Sequence, residues 1–233
     1  YVCMDSESIQ VTQKRHTMPF TRLEIAALGL VQGQLQVLLV KRTGEPHAGR
    51  WALPGGVLRI DKDNSLEAGA QRVMRERLGA ELPFLRQLCA VGGPGRDPTR
   101  APWTLSVVYR ALVKMECHDL AAGKRIEALA WRPVDQARND RTLAFDHAEL
   151  IARAVDATRA EVQTMNLPSG FIPEKFTLGE LQSICEQLLG ERLPQRQQAR
   201  GLLVGADARQ EPGRPLGRGL GVQQQRLARK GGG

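Results

Sequence analysis

The segment that leaves a chain of this kind least freedom is residues 50–80, RWALPGGVLRIDKDNSLEAGAQRVMRERLGA. Residues 50–56 read as a short strand ending in a Pro-Gly-Gly turn. After a polar loop, Ser65 stands where a helix N-cap is expected. Leu66, Ala70, Val73, Met74 and Leu78 follow as an apolar stripe at helical spacing, and Gly79 is the stop. A helix with one apolar stripe must bury it against something, and the flanking runs supply a sheet. Residues 20–40, FTRLEIAALGLVQGQLQVLLV, are two mostly apolar β-rich runs broken at Gln32-Gly33, the pattern of a hairpin or a close strand pair. Further strands are predicted at 85–91, 103–113 and 128–133. A second helix is predicted over 147–164, with Ile151, Ala152, Val155 and Val162 on one side. Strands and helices interleave without regular βαβ alternation, so the fold class is α/β but not a doubly wound sheet.

Composition narrows the function classes. No run approaches the ~18 apolar residues that a membrane span needs, and Asp5, Glu7, Lys14 and Arg15 interrupt any apolar leader core near the start. A cytoplasmic protein with no membrane partner is expected. The four cysteines, Cys3, Cys89, Cys117 and Cys185, are widely spaced with no C-x-x-C pair, which predicts reduced thiols. The formal charge is +8, and it is uneven: from Glu191 onward nine Lys and Arg stand against three acids, so +6 resides in this last part. A nearly balanced body with a basic end predicts a small-molecule domain joined to a segment that meets a polyanion, nucleic acid being the usual one. A solvated basic tail is the alternative.

The punctuation agrees with two parts. Residues 166–175, NLPSGFIPEK, hold two prolines and a glycine and read as a linker. In FTLGELQSICEQLLG, Thr177 and Glu180 form the S/T-x-x-E capping box. Leu178, Leu181, Ile184, Cys185, Leu188 and Leu189 fall at helical spacing, and Gly190 ends the helix. Pro194 then suits the first turn of a basic helix through Arg196 and Arg200. Helix, short turn and basic helix is helix-turn-helix order, with the second helix able to enter a major groove. The expected division is an N-terminal segment 1–19, a globular domain 20–165, the linker, and a DNA-binding domain 176–233 with a divergent basic tail.

Residues 55–80 resemble the Nudix box, G-x5-E-x7-R-E-U-x-E-E-x-G-U with U apolar, and residues 72–80 (RVMRERLGA) occupy its second half. In the box, three glutamates at i, i+3 and i+4 share one helix face and converge on Mg²⁺, a hard cation that takes oxygen ligands and bridges substrate phosphates. Here those positions are Val73, Glu76 and Arg77; the earlier glutamate position is Asn64, and the loop before it is two residues longer. A guanidinium cannot ligate a cation, so diphosphate hydrolysis by the usual mechanism is not expected and no cofactor is required.

The sequence is similar to the Nudix-related transcriptional regulators of NAD metabolism, the NrtR family. The residues that carry the likeness are 51–56 (WALPGG), 87–98 (QLCAVGGPGRDP), 107–113 (VVYRALV), 143–147 (LAFDH) and 176–190 (FTLGELQSICEQLLG). The resemblance implies a Nudix-like α/β/α sandwich that senses ADP-ribose or a related nucleotide, and a small C-terminal winged helix-turn-helix that binds operator DNA as a homodimer. It implies ligand contacts from among Arg50, Trp51, Gly55, Gly56, Arg72, Glu76, Arg77, Arg96, Asp97, Phe145 and His147. Thr177, Arg192, Arg196 and Arg200 are then the candidates for DNA contact. Where the family's second helix has an aromatic followed by basic residues, this chain has Gln197, Gln198, Ala199, Arg200 and Gly201.

Each residue also has a structural reading: Arg96 and Asp97 as a turn ion pair, His147 or Asp146 as a cap of the following helix, Trp51 and Phe145 as core. Two other functions fit the same residues. One is a Nudix hydrolase of the ADP-ribose pyrophosphatase type with Mg²⁺ on Glu67 and Glu76; the other is a nucleotide-binding protein whose tail does not read DNA.

Overall fold

The computed structural model describes residues 19–82, 85–97, 101–113, 120–164 and 177–193. Seven strands form one mixed sheet: β1 (Phe20–Val31), β2 (Gln34–Arg42), β3 (Trp51–Ala52), β4 (Gly55–Val57), β5 (Leu85–Pro94), β6 (Trp103–Val113) and β7 (Ile126–Pro133). The main path runs β3-β2-β1-β6-β5, with β4 on β1 and β7 on β2. Among the described residues only the β1–β6 pair is parallel. The helices among the described residues are α1 (Leu66–Leu78), α2 (Val134–Ala137), α3 (His147–Gln163) and α4 (Leu178–Leu189).

β1 and β2 are apolar on both faces because both faces are covered. Leu23, Ile25, Leu38 and Val40 pack with Ala70, Val73, Met74 and Leu78 of α1. On the other side Ala26, Leu28, Val37 and Leu39 pack with Leu150, Ile151, Ala154 and Val155 of α3 and with Leu181, Cys185, Leu188 and Leu189 of α4. The result is helix, sheet, helix, and α4 shares one hydrophobic cluster with the sheet it follows.

The local signals act as read. Gln32 (φ 50°) and Gly33 (φ 76°) make the two-residue turn of the β1–β2 hairpin. The Ser65 side chain accepts from the Ala68 N–H at 3.1 Å, and Gly79 at φ 70° closes α1. Residues 121–124 take up the carbonyls left open at that end: Ala121, Gly123 and Lys124 donate to Leu78, Arg77 and Glu76.

One local reading differs. Gly55 and Gly56 are not a turn but strand β4, opposite Glu24 and Leu23 of β1. The glycines are there for close approach: a Cβ on Gly55 would lie 1.9 Å from Glu24 Oε2, and one on Gly56 would lie 2.8 Å from Val73 Cγ2. The register then defines a fork. β1 and β2 pair only between Leu28–Val31 and Gln34–Val37, and beyond that they part. β3 fills the gap on β2, β4 fills it on β1, and the Ile25 N–H donates to the Pro54 carbonyl between them. The ends of β1 and β2 that carry Arg22 and Arg42 therefore flank the segment that leads into α1.

Candidate functional site

A cleft opens at this fork, walled by Arg22, Arg42, Leu53, Gly55, Gly56, Val57, Arg77 and Arg125, with Glu45 at its edge. Arg22 is buried on β1 and donates from Nε to Glu24 Oε1 at 2.7 Å, and this carboxylate holds its pKa above the ordinary value. Arg42 curls its own loop around it, donating to the Pro46 carbonyl at 2.8 and 3.1 Å. Burial, then repulsion from Arg22, lowers its pKa. Arg77 reaches back from α1 to the Gly55 carbonyl at 3.0 Å and also donates to the Lys124 carbonyl. It thereby ties α1 to β4 and to the loop before β7.

Phe145 stands beside this cleft in the left-handed region, φ 54°, a costly conformation for a bulky residue. Its ring is 5.1 Å from the Arg42 guanidinium and 5.6 Å from that of Arg22, and it meets the His47 ring edge-on at 4.6 Å. His47 is also left-handed, φ 65°. Burial, then Arg50 and Arg42, keep its imidazole neutral to lower pH than usual. Two strained residues packed on each other beside a cation cluster are the kind of feature that gathers at ligand sites.

The sequence candidates do not all come to the cleft. Gly55, Gly56 and Arg77 line the cleft and Phe145 adjoins it. Arg72 and Glu76, which precede Arg77 on α1, are not among the residues that wall the cleft. Arg72 makes a two-point pair with Asp63 (2.6 and 2.7 Å), donates to the Val57 carbonyl at 2.9 Å and approaches Glu76 at 3.4 Å; it pins the loop that precedes the helix. Trp51 lies in the α3 and α4 layer, with the Arg132 guanidinium 4.7 Å above its ring. Arg50 is exposed.

Arg96 and Asp97 do not form a turn pair with each other. Arg96 grips Asp146 with two bonds (2.7 and 3.0 Å) and also donates to the Ser106 hydroxyl, while Asp97 is buried. Asp146 occupies the N-cap position of α3 but makes no side-chain cap, because Arg96 takes its carboxylate. His147 does not cap either. Its Nδ1 accepts from the Leu53 N–H at 2.9 Å, and its Nε2 faces the buried Glu24 Oε2 at 3.9 Å. Burial, aided by Arg22, pushes its pKa down to about 3, so the ring is neutral and belongs to the frame of the site.

Sequence reasoning missed Arg22, Glu24, Arg42, His47 and Arg125. One signal was available: Arg22 and Glu24 interrupt an otherwise apolar strand two residues apart, which puts both charges on one face. His47 and Arg125 come from loops whose course only the sheet fixes.

The residues present do not fit the magnesium that the box implies. Val73 is in the core against Gly56, Arg77 carries a positive charge to that end of the helix, and Glu76 is engaged by Arg72. Glu67 accepts from the Tyr109 hydroxyl at 3.2 Å at the far end of α1. Among the described residues no three His, Cys, Asp or Glu side chains come together as a metal site.

Of the DNA candidates, Thr177 caps α4 in a full capping box with Glu180, and Arg192 is exposed just beyond the other end of that helix. Arg196, Arg200 and the wing lie outside the described residues, as do most of the N-terminal segment and the linker. Among the described residues no helix is long and apolar enough to cross a membrane.

The sandwich, the fork and the helix behind it are those of a NUDIX domain, whose family model matches residues 21–154. The ADPR responsive transcriptional repressor NtrR of Acinetobacter baylyi is 33% identical over 187 residues, 80% of this chain and 73% of that protein. The crystal structure of Shewanella oneidensis NrtR complexed with a 27mer DNA is 31% identical, with a TM-score of 0.66 over 79% of this chain and 82% of that one. The NUDIX domain of the same protein complexed with ADP ribose is 30% identical, with a TM-score of 0.56 over 64% of this chain and 94% of that one. The chain therefore belongs to the NrtR family of Nudix-related regulators.

Proposed function

We propose that this protein is a DNA-binding transcriptional repressor of NAD-metabolism genes, released or engaged by ADP-ribose or a related nucleotide in its Nudix cleft. It acts in the cytoplasm as a homodimer, with a winged helix-turn-helix formed by residues 176–233, and requires no metal. The observation that carries this reading is the continuity between cleft and α4. Phe145, at the cleft, and Asp146, held by Arg96, lead directly into α3, and α3 and α4 pack in one cluster. A ligand that shifts Phe145 acts on the helix against which the first helix of the DNA-binding part is docked, and a differential contact of this kind is what coupling between two sites requires. The relatives above support both ends of that path, one bound to DNA and one to ADP ribose.

The direct test is a DNA-shift titration against fragments upstream of NAD-biosynthesis genes, with and without ADP-ribose, at two salt concentrations. Sequence-selective binding that ADP-ribose alters is the expected result. Binding that is absent, or unselective and lost at moderate salt, would refute the repressor reading.

A further inference from the structure

The sequence places the joint between sensor and DNA reader at the linker 166–175, but α4, which follows that linker, is packed as part of the sensor. Its Leu181, Cys185 and Leu188 are buried in one cluster with Leu35 and Val37 of β2, Val134 of α2, and Leu150, Ala154 and Val155 of α3. Polar side chains close the margins. Gln187 lies over the turn of the β1–β2 hairpin, 3.8 Å from where a Cβ on Gly33 would stand, and Arg159 of α3 comes within 3.3 Å of the corresponding point on Gly190. Magnitudes decide whether α4 can leave. A fully buried leucine resists exposure by roughly tenfold or more in population, so Leu181, Leu188 and Leu189 together hold the undocked state below roughly one part in 10³. Coupling between two sites is typically about 5–150-fold, too little to reverse that.

The hold on the chain beyond α4 is of another scale. Gly190 stops the helix in the left-handed region, φ 77°, with its N–H donating to the Glu186 carbonyl at 2.8 Å. The chain then turns back on the helix. The Leu193 N–H donates to Glu186 Oε1 at 3.2 Å, the oxygen that also accepts from Gln182 Nε2 at 2.9 Å, and the Leu193 side chain rests against the α4 cluster. These donors, Gln182 first, hold the Glu186 carboxyl below its ordinary pKa, and Arg192 adds to the effect. One hydrogen bond is worth about two- to twelvefold, which falls within the range that coupling spans.

We propose that the joint lies after α4, at residues 190–193, so that α4 stays with the sensor in every ligand state and Glu186 is the positioning residue that sets the direction in which the chain leaves it. A nucleotide in the cleft then moves α3 and α4 as one body, and the reader feels the change through the grip of Glu186 on Leu193. The position of the joint rests on packing alone; its part in signalling rests on the repressor reading above.

The test uses the full chain, free and with ADP-ribose. Alkylation of Cys185 by N-ethylmaleimide, mapped by mass spectrometry, reports whether α4 lifts, since that thiol is buried in the docked helix. It should react at least about a hundredfold more slowly than in the urea-unfolded chain, in both states. Amide hydrogen exchange at Leu193 reports the clamp: Glu186→Ala should speed it by about two- to twelvefold, and Glu186→Gln, which keeps an acceptor oxygen, should stay near wild type. In DNA-shift titrations against the fragments named above, the ratio of affinities with and without ADP-ribose should fall by about threefold or more in Glu186→Ala and recover in Glu186→Gln, with ADP-ribose affinity within about twofold throughout. A purely structural role would lower melting and expose Cys185 without changing that ratio. Cys185 reacting about tenfold faster once ADP-ribose binds overturns the proposal and returns the joint to the linker, as does a Glu186→Ala chain whose Leu193 exchange and affinity ratio both match wild type. A wild-type chain that ignores the DNA or the ADP-ribose sinks the repressor reading instead, and Cys185 and Leu193 in the free chain still decide where the sensor ends.

Discussion

Replacing Arg72 with alanine should cost stability and not ligand. Its guanidinium holds Asp63 by two bonds and the Val57 carbonyl by a third, with 14% and 1% of the two side chains exposed. Breaking a buried pair by removing one member costs about 3–5 kcal/mol, because the other charge is left without compensation. Asp63 keeps one bond, from the Arg59 N–H at 2.7 Å, so we expect about 2–3 kcal/mol. At roughly 2–4 °C per kcal/mol for a chain of this size, melting should fall by about 5–10 °C. The double variant Arg72→Ala/Asp63→Ala should recover part of that loss, since no orphaned carboxylate remains. The deficit should also depend on pH. The hydrogen bond from Arg72 holds the Asp63 carboxyl below its ordinary value of 3.8. The contribution is thus complete above that value and is lost as pH falls through the lower folded one. The gap between wild type and Arg72→Ala should therefore narrow below about pH 4. Thermal melts over this range, alongside ADP-ribose titration at neutral pH, read both quantities. Unchanged melting with a tenfold weaker ligand would refute the reasoning and make Arg72 a ligand contact.

Three further outcomes are expected. Gly55→Ala, whose Cβ would sit 1.9 Å from Glu24 Oε2, should destabilise by about 1–3 kcal/mol or more in urea unfolding, whereas Gly93→Ala, with open space around it, should be close to neutral; equal effects would contradict the fork geometry. Thr177→Ala removes the hydroxyl that accepts from the Glu180 N–H and should cost about 1 kcal/mol of stability, while Thr177→Ser restores it. If Thr177→Ala lowers DNA affinity with no loss of stability, the residue acts on DNA directly and not as a cap. Because the folded pKa of His147 is depressed from 6.5 to about 3, the unfolded chain binds a proton that the native one refuses once pH falls below about 6.5. The protein should lose stability over that interval, and His147→Gln should flatten the loss; parallel pH profiles would show that His147 is not the group responsible.

Sequence alone determined what is local or periodic. Ser65 and Gly79 bound α1, Thr177, Glu180 and Gly190 bound α4, and Gln32-Gly33 sets the first hairpin, because caps and turns depend on a few neighbouring backbone groups. The box positions were equally legible: Val73 and Arg77 are poor metal ligands by their chemistry, wherever the helix lies. Only the tertiary structure decided that Gly55 and Gly56 are a strand wedged between β1 and β2, since the reason is a carboxylate some thirty residues earlier that leaves no room for a Cβ. The partner of Arg96 was hidden for the same cause, Asp146 lying fifty residues away. The site itself needed four elements to converge. A guanidinium in a sequence is a solvated charge until the fold brings others beside it, and Arg22, Arg42, Arg77 and Arg125 come to line one cleft only where β1 and β2 part.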